Sequence, residues 1–308
     1  MVRWTQLITV LIFVKIVNTK HCRPGRLILQ AVRDVQTENN HVWTEDPAKF
    51  REFYAKQFRV LLGGEKLLEN TTGGSDFLQE GLEEIIGHYK DVYKSEHLRA
   101  IGATLSSYLS LIPAAFLHAM SHHNIALPLD PDSTSIQYDG ESFYLHLHGS
   151  PSTFVVPELS REERRAHLVG SLFDSYMKPV FRRLRELTGI DKHSQWSYAA
   201  LTLQRNYDNW MDKATTEELK YLLREDYEYV VGGSDPVWFE RSGVRDRHPL
   251  DLPFKFVPDV YNEGKKVRMK YRCCLYYKLT GTYCYTCPAI TEEHRSRRAE
   301  EIISARSK

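Results

Sequence analysis

The chain predicts an α+β protein: a predominantly helical body, a small central sheet, and a C-terminal cysteine hairpin. Three observations predict it. Apolar residues recur at spacings of three and four over most of the chain, as helices require. One stretch, Phe143-Tyr144-Leu145-His146-Leu147-His148, alternates strictly, as a half-buried strand does. Four of the 5 cysteines crowd into the tail, in a stretch that turns back at Thr280-Gly281 between two aromatic runs.

The totals set limits. A chain of 308 residues can bury a substantial core. It is 42% hydrophobic and 26% charged, with a net charge of +1, so no global field for polyanions is implied. Charge is uneven: residues 264–308 carry 11 Lys+Arg against 4 Glu, a surplus of 11 − 4 = +7. Five cysteines in so long a chain are not a disulfide scaffold. Neither a G-x-G-x-x-G nor a Walker A motif is present. The organisation reads as a mostly helical region 1–130, a sheet-and-helix region 131–263 and the cysteine segment 264–308.

Residues 7–14 are an apolar run between Arg3 and Lys15, too short to span a bilayer. It reads as a strand, as the apolar region of a signal peptide, or as residues upstream of the true start. Cys22 stands alone and reads as a bystander. From Pro47, the residues Phe50, Phe53, Tyr54, Phe58, Leu61 and Leu62 form one helix face, stopped by Gly63-Gly64. Ser75 offers an N-cap for a helix burying Phe77, Leu78, Leu82, Ile85 and Ile86. Residues 95–120 are helical, with a break expected at Pro113. His118 and His122 lie one turn apart and read chiefly as core and surface residues. After a linker at 128–131, the alternating strand is expected to pair with a second one at 152–157. His146 and His148 then share its polar face. Ser160-Arg161-Glu162-Glu163 is a capping box. The helix it opens meets Pro179. A second stripe, Phe181, Leu184 and Leu187, runs to Gly189 with Arg182, Arg183 and Arg185 between. Residues 193–210 form a helix with Trp196, Tyr207 and Trp210 on a broad face, and another begins at Thr216. Residues 240–263 read as a proline-dotted loop carrying Arg241, Arg245, Arg247 and His248. Residues 291–308 read as a charged, solvated helix.

The chemistry sits in the tail, where Cys273-Cys274 is followed after nine residues by Cys284-x2-Cys287. Spacing alone leaves four readings open: an iron–sulfur cluster, structural zinc, disulfides or free thiols. Adjacent cysteines on an extended strand point to opposite faces, which suits a binuclear cluster better than a single metal.

This motif resembles that of the FhuF-type ferric siderophore reductases. Their C-terminus carries Cys-Cys, a ten-residue gap, then Cys-x2-Cys around a [2Fe–2S] cluster. The resemblance implies Cys273, Cys274, Cys284 and Cys287 as cluster ligands. It implies an iron-chelate oxidoreductase that passes one electron to Fe(III) in a siderophore, of hydroxamate or citrate–hydroxamate type, and releases Fe(II). An external donor, a ferredoxin or flavin-linked reductase, is then required. Trp196, and more weakly Asn206, fall near the family's pocket positions, and His248-Pro249 looks like its His-Pro lead-in. Arg241, Arg245 and Arg247 would attract an anionic chelate. The expected setting is cytoplasmic, with at most peripheral contact with the inner membrane and no nucleic-acid partner. A zinc-stabilised nucleic-acid-binding module and a siderophore binder without redox activity are the rival readings.

Overall fold

The computed structural model describes residues 47–63, 77–129, 134–138, 142–149, 152–153, 159–231 and 248–306. The apolar run at 7–14, Cys22, Ser75, and Arg241, Arg245 and Arg247 lie outside the described residues.

Helix α1 (Pro47–Phe58) starts on the proline, whose missing N–H is not needed in a first turn. It buries Phe50, Tyr54 and Phe58, each four residues apart. Leu61 and Leu62, expected on the same helix face, belong instead to strand β1 (Val60–Leu62). Arg59, at φ 56°, turns the chain out of the helix. A five-residue π-turn (Phe77–Gly81) leads into α2 (Leu82–Tyr93), closed by Lys94 at φ 46°.

The helix expected over 95–120 is two: α3 (Leu98–Leu109) and α4 (Leu111–His123), broken at Ser110. Pro113 causes no break because it sits in the first turn of α4. Residues Leu98–His123 are together long and apolar enough to cross a membrane, yet 78% of that apolar window is buried in the protein. Helix α3 is central: helices packed later in the chain surround it, and Ile101, Leu105 and Leu109 are fully enclosed.

Strand β2 (Ile125–Ala126) precedes β3 (Thr134–Tyr138), β4 (Phe143–Leu147) and β5 (Ser152–Thr153). The main sheet has the order β1-β4-β3. Strand β1 is parallel to β4 (Val60 opposite Leu145) and β3 antiparallel to it (Ile136 opposite Leu145). Of the second strand expected at 152–157, the described residues Ser152–Thr153 form β5, which pairs with β2 and not with β4.

The capping box forms as read: Ser160 and Glu163 bond reciprocally at the head of α5 (Arg161–Ser171). A π-turn (Leu172–Met177) joins it to α6 (Lys178–Thr188), where Pro179 is again a first-turn residue. Helix α7 (Lys192–Lys213), capped by Asp191 onto Ser194 N–H at 2.9 Å, lies against α3, α4 and α8 (Glu217–Val231).

After these helices comes a short ribbon of β6 (Phe256–Pro258), inside the stretch 240–263 read as irregular, and β7 (Lys266–Arg268), just beyond it. Arg205 of α7 donates to the Arg268 carbonyl at 2.6 Å, and Arg268 donates to Asp208 at 2.5 Å and Gln204 at 3.1 Å. These contacts fasten the ribbon to the body.

The α+β architecture with a small sheet is therefore present, but the cysteine hairpin is not. Leu275 adopts φ 56°, and the Thr280 and Gly281 amides bond the Tyr276 and Tyr277 carbonyls at 3.1 and 2.9 Å. The aromatic run thus closes into a one-turn helix, α9 (Tyr277–Thr280), ended by Gly281 at φ 74°. Its backbone groups are used within the turn and are not offered to a partner strand. The chain ends in α10 (Glu292–Arg306).

Candidate functional site

The turn at Gly281 does bring the thiols together. Cys273 and Cys287 meet at 3.8 Å between sulfurs. Cys284 hydrogen-bonds both Cys274 and Cys287. Cys274 and Cys287 are buried, while Cys273 and Cys284 are half-exposed. None is in a disulfide.

Four residues fix this group. Tyr198 of α7 donates its hydroxyl to the Cys273 carbonyl at 2.8 Å. Lys270 donates its ammonium to Cys274 Sγ at 2.9 Å. Ala289 N–H reaches Cys287 Sγ at 3.4 Å. Arg295 of α10 donates to the Cys287 carbonyl at 3.1 Å and the Tyr285 carbonyl at 2.5 Å.

The environments split the thiols. The Cys284 hydrogen bond, and then burial, push the Cys274 pKa well up, against the pull of Lys270. The Cys284 hydrogen bond holds Cys287 below its ordinary value, with help from Ala289 N–H and against burial. Burial pushes Lys270 down, but Cys274 and Cys284 outweigh it, so its pKa ends up raised. Lys270 is therefore the resident cation of the group.

This arrangement corrects the iron–sulfur reading. Among the described residues, no group of three or more His, Cys, Asp or Glu side chains is placed to hold a metal ion. In the structure the Cys274 sulfur is instead engaged by the Lys270 ammonium, at 2.9 Å. The [2Fe–2S] cofactor does not fit these residues, and the resemblance to the siderophore reductases, the iron-chelate oxidoreductase activity and the zinc alternative fall with it. No family model and no curated protein matches the chain. The siderophore-binding reading is left without a supporting observation.

The other expected site residues lie as follows. Trp196 is buried on α7, stacked on Phe173 at 5.5 Å and edge-on to Phe181 at 5.2 Å. His248 is buried, accepts from Leu250 N–H at 3.3 Å, and burial pushes its pKa to about 4. Asn206 bonds the Thr202 carbonyl of its own helix at 2.9 Å. His146 donates to the Gly63 carbonyl and accepts from Gln137 at 2.8 Å, and His148 bonds Ser135 at 2.7 Å, so the polar face of β4 is satisfied from within. Arg183 is taken by Glu83 at 2.6 Å and the Leu78 carbonyl at 3.1 Å.

Sequence reasoning missed Tyr198 and Arg295, the two clamps on the thiol group. It also missed Asp226, fully buried on α8. Asp226 accepts from Arg161 at 2.9 and 2.7 Å, Arg165 at 3.3 Å and Ser121 at 2.7 Å. The signal that could have found it is its spacing, three residues after Leu223 and four before Val230, which puts it on the helix's inward face.

Proposed function

We propose that the C-terminal segment is a thiol–disulfide switch, with Cys273 and Cys287 as its couple, and that it regulates how the tail helix is held to the body. The observation that carries this is the 3.8 Å contact between the two sulfurs. A disulfide needs about 2.05 Å between sulfurs, a closure within the range of side-chain rotation and a small backbone adjustment.

The chemistry is balanced. Each thiol gives up a proton and an electron to an oxidant, which for a disulfide oxidant is reduced to two thiols. Cys273 is the accessible attacking residue and Cys287 the buried one that completes the bond. Cys274, held by Lys270 and Cys284, is the poorer nucleophile.

The consequence is mechanical. The Cys273 carbonyl is tied to α7 through Tyr198, and the Cys287 carbonyl to α10 through Arg295. A bond between these residues joins the body's anchor to the tail's anchor. Closing a loop of about 15 residues stabilises by about 3 kcal/mol in the chain-entropy picture.

The test is equilibration of the full chain in mixtures of reduced and oxidised dithiothreitol, followed by intact mass and peptide mapping. The expected product has lost two hydrogens and links Cys273 to Cys287. It is absent from Cys273→Ser and from Cys287→Ser, and present in Cys274→Ser. A link through Cys274 instead, or no link at the oxidising end, would refute the couple.

A further inference from the structure

One ammonium touches two sulfurs in the thiol group. Lys270 Nζ lies 2.9 Å from Cys274 Sγ and hydrogen-bonds Cys284 as well. Cys274 and Cys284 also hydrogen-bond each other. The backbone fixes this meeting. Lys270 N–H donates to the Thr286 carbonyl at 2.9 Å, which lays residue 270 along the C-x2-C turn. Cys287 N–H closes that turn on the Cys284 carbonyl at 3.1 Å. The contacts therefore sort the four thiols into two pairs. Once Cys287 is bonded to Cys273, the free thiol left beside Cys284 is Cys274.

The two pairs differ in the donor that faces them. Cys287 Sγ accepts from a neutral donor, Ala289 N–H, at 3.4 Å, whereas Cys274 Sγ accepts from an ammonium. Lys270 is half-buried. Burial disfavours its charge, Cys274 and Cys284 restore it, and among the described residues no carboxylate pairs with it. A thiolate is a strong acceptor for a cationic donor. A disulfide sulfur carries no charge and accepts weakly. Bonding Cys274 to Cys284 would leave the ammonium withdrawn from water without an anionic partner. Lys270 thus stabilises the reduced pair, and a couple whose reduced form is stabilised is the stronger oxidant once closed.

We propose that Cys274 and Cys284 are a second disulfide couple, held open by Lys270 until Cys273 and Cys287 have closed. It deepens the thiol-switch reading above and depends on it only for the order of closure. Cys284, half-exposed, attacks one sulfur of a disulfide oxidant. The oxidant's S–S bond breaks, one thiolate leaves with the electron pair, and a mixed disulfide forms on Cys284. Buried Cys274 then attacks the Cys284 sulfur and expels the second thiol. One oxidant disulfide becomes two thiols, and two protein thiols become one disulfide. Closure takes both sulfur acceptors from Lys270.

The experiment equilibrates the full chain in mixtures of reduced and oxidised glutathione, whose disulfide is a stronger oxidant than oxidised dithiothreitol, and follows intact mass and peptide maps. At the reducing end the protein is expected to have lost two hydrogens, through Cys273–Cys287. At the oxidising end it is expected to have lost four, with Cys274–Cys284 as the added link. In Cys273→Ser/Cys287→Ser the Cys274–Cys284 link should form alone. In Lys270→Met that link should form at a [GSH]²/[GSSG] ratio at least tenfold higher, a shift of about 30 mV. The Cys273–Cys287 midpoint of the same variant should stay within twofold, which a general loosening of the tail would not allow. A protein that never loses more than two hydrogens, or a double serine variant without the Cys274–Cys284 link, overturns the second couple and leaves the first standing. A midpoint that Lys270→Met does not move overturns the role of Lys270. If the Cys274–Cys284 link forms in the double variant but Cys273–Cys287 is never found in the full chain, the switch reading fails and this couple stands.

Discussion

At the scale of single residues, Arg295 shows how a position in a charged helix becomes structural. It lies in α10, whose sequence reads as solvated, yet it is 4% exposed. Its guanidinium bonds the carbonyls of Tyr285 and Cys287 and meets Glu292 at 3.3 Å. Those carbonyls flank the C-x2-C turn, so Arg295 holds that turn from behind. Removing the guanidinium leaves carbonyls without partners, each costing about 1–3 kcal/mol when buried. Arg295→Met should therefore destabilise the tail by roughly 2–4 kcal/mol. Hydrogen exchange of amides 284–290 should accelerate well before global unfolding. Arg295→Lys should lose nearly as much, because an ammonium lacks the fork that spans two acceptors. Exchange rates unchanged in the Met variant would show that the turn holds itself. Nothing in the spacing of residues 291–308 marks Arg295, because its partners are backbone atoms and carry no sequence signal.

At the scale of elements, the sequence was legible where burial repeats locally and silent where pairing is distant. The stripes of α1, α2, α3 and α7 and the capping box of α5 needed only neighbours within a few turns. The pairing of Val60 with Leu145, or of Ile125 with Thr153, did not. Leu61 and Leu62 continue a helical stripe and are strand only because β4 lies beside them. The convergence of the cysteines was readable from Thr280-Gly281. What they hold was not, since that depends on Lys270 bonding Cys274 and on the left-handed Leu275. The packing of helices makes a sharper prediction. A methyl on Gly102 of α3 would lie 2.2 Å from Thr188 Oγ1, 2.8 Å from Thr188 Cβ and 3.2 Å from Ile190 Cβ. Thr188 cannot easily yield, as its hydroxyl is bonded to the Leu184 carbonyl at 2.7 Å. Gly102→Ala should cost about 1–3 kcal/mol by overpacking. Gly87 of α2 has nothing within 4 Å of the added methyl. Gly87→Ala should instead stabilise by about 0.5–1 kcal/mol through helix propensity. Urea unfolding of the two variants should show shifts of opposite sign, and shifts of the same sign would put the α3–α6 contact in question.

For the whole molecule, the buried histidines link stability to pH. His118 stacks on His122 at 4.0 Å, accepts from or donates to the Tyr54 hydroxyl at 2.9 Å, and is walled by Phe53, Phe58 and Trp210. Burial, and then His122 and His123, drive its pKa to about 2. Burial and then His122 drive His123 to about 4. Burial lowers His122 as well, opposed by the His118 carbonyl and by Asp226. Burial of His248 acts in the same direction. In the unfolded chain a histidine titrates near 6.5. The unfolded state therefore binds more protons than the folded state at every pH between about 6.5 and these lowered values. Stability is full above about 6.5 and is lost as the pH falls through that window, by up to about 1.4 kcal/mol per pH unit for each such group. Free carboxylates titrate near 4, so the interval from pH 6.5 to 5 belongs mainly to the histidines. Urea midpoints should be level from pH 8 to 7 and fall steadily from 6.5 to 5. In His118→Leu/Tyr54→Phe, which removes the proton acceptor and its hydroxyl partner together, that fall should become shallower, whatever the change in absolute stability. A slope equal to that of the unsubstituted protein would mean that His118 is reached by water in the folded state and takes its proton without unfolding.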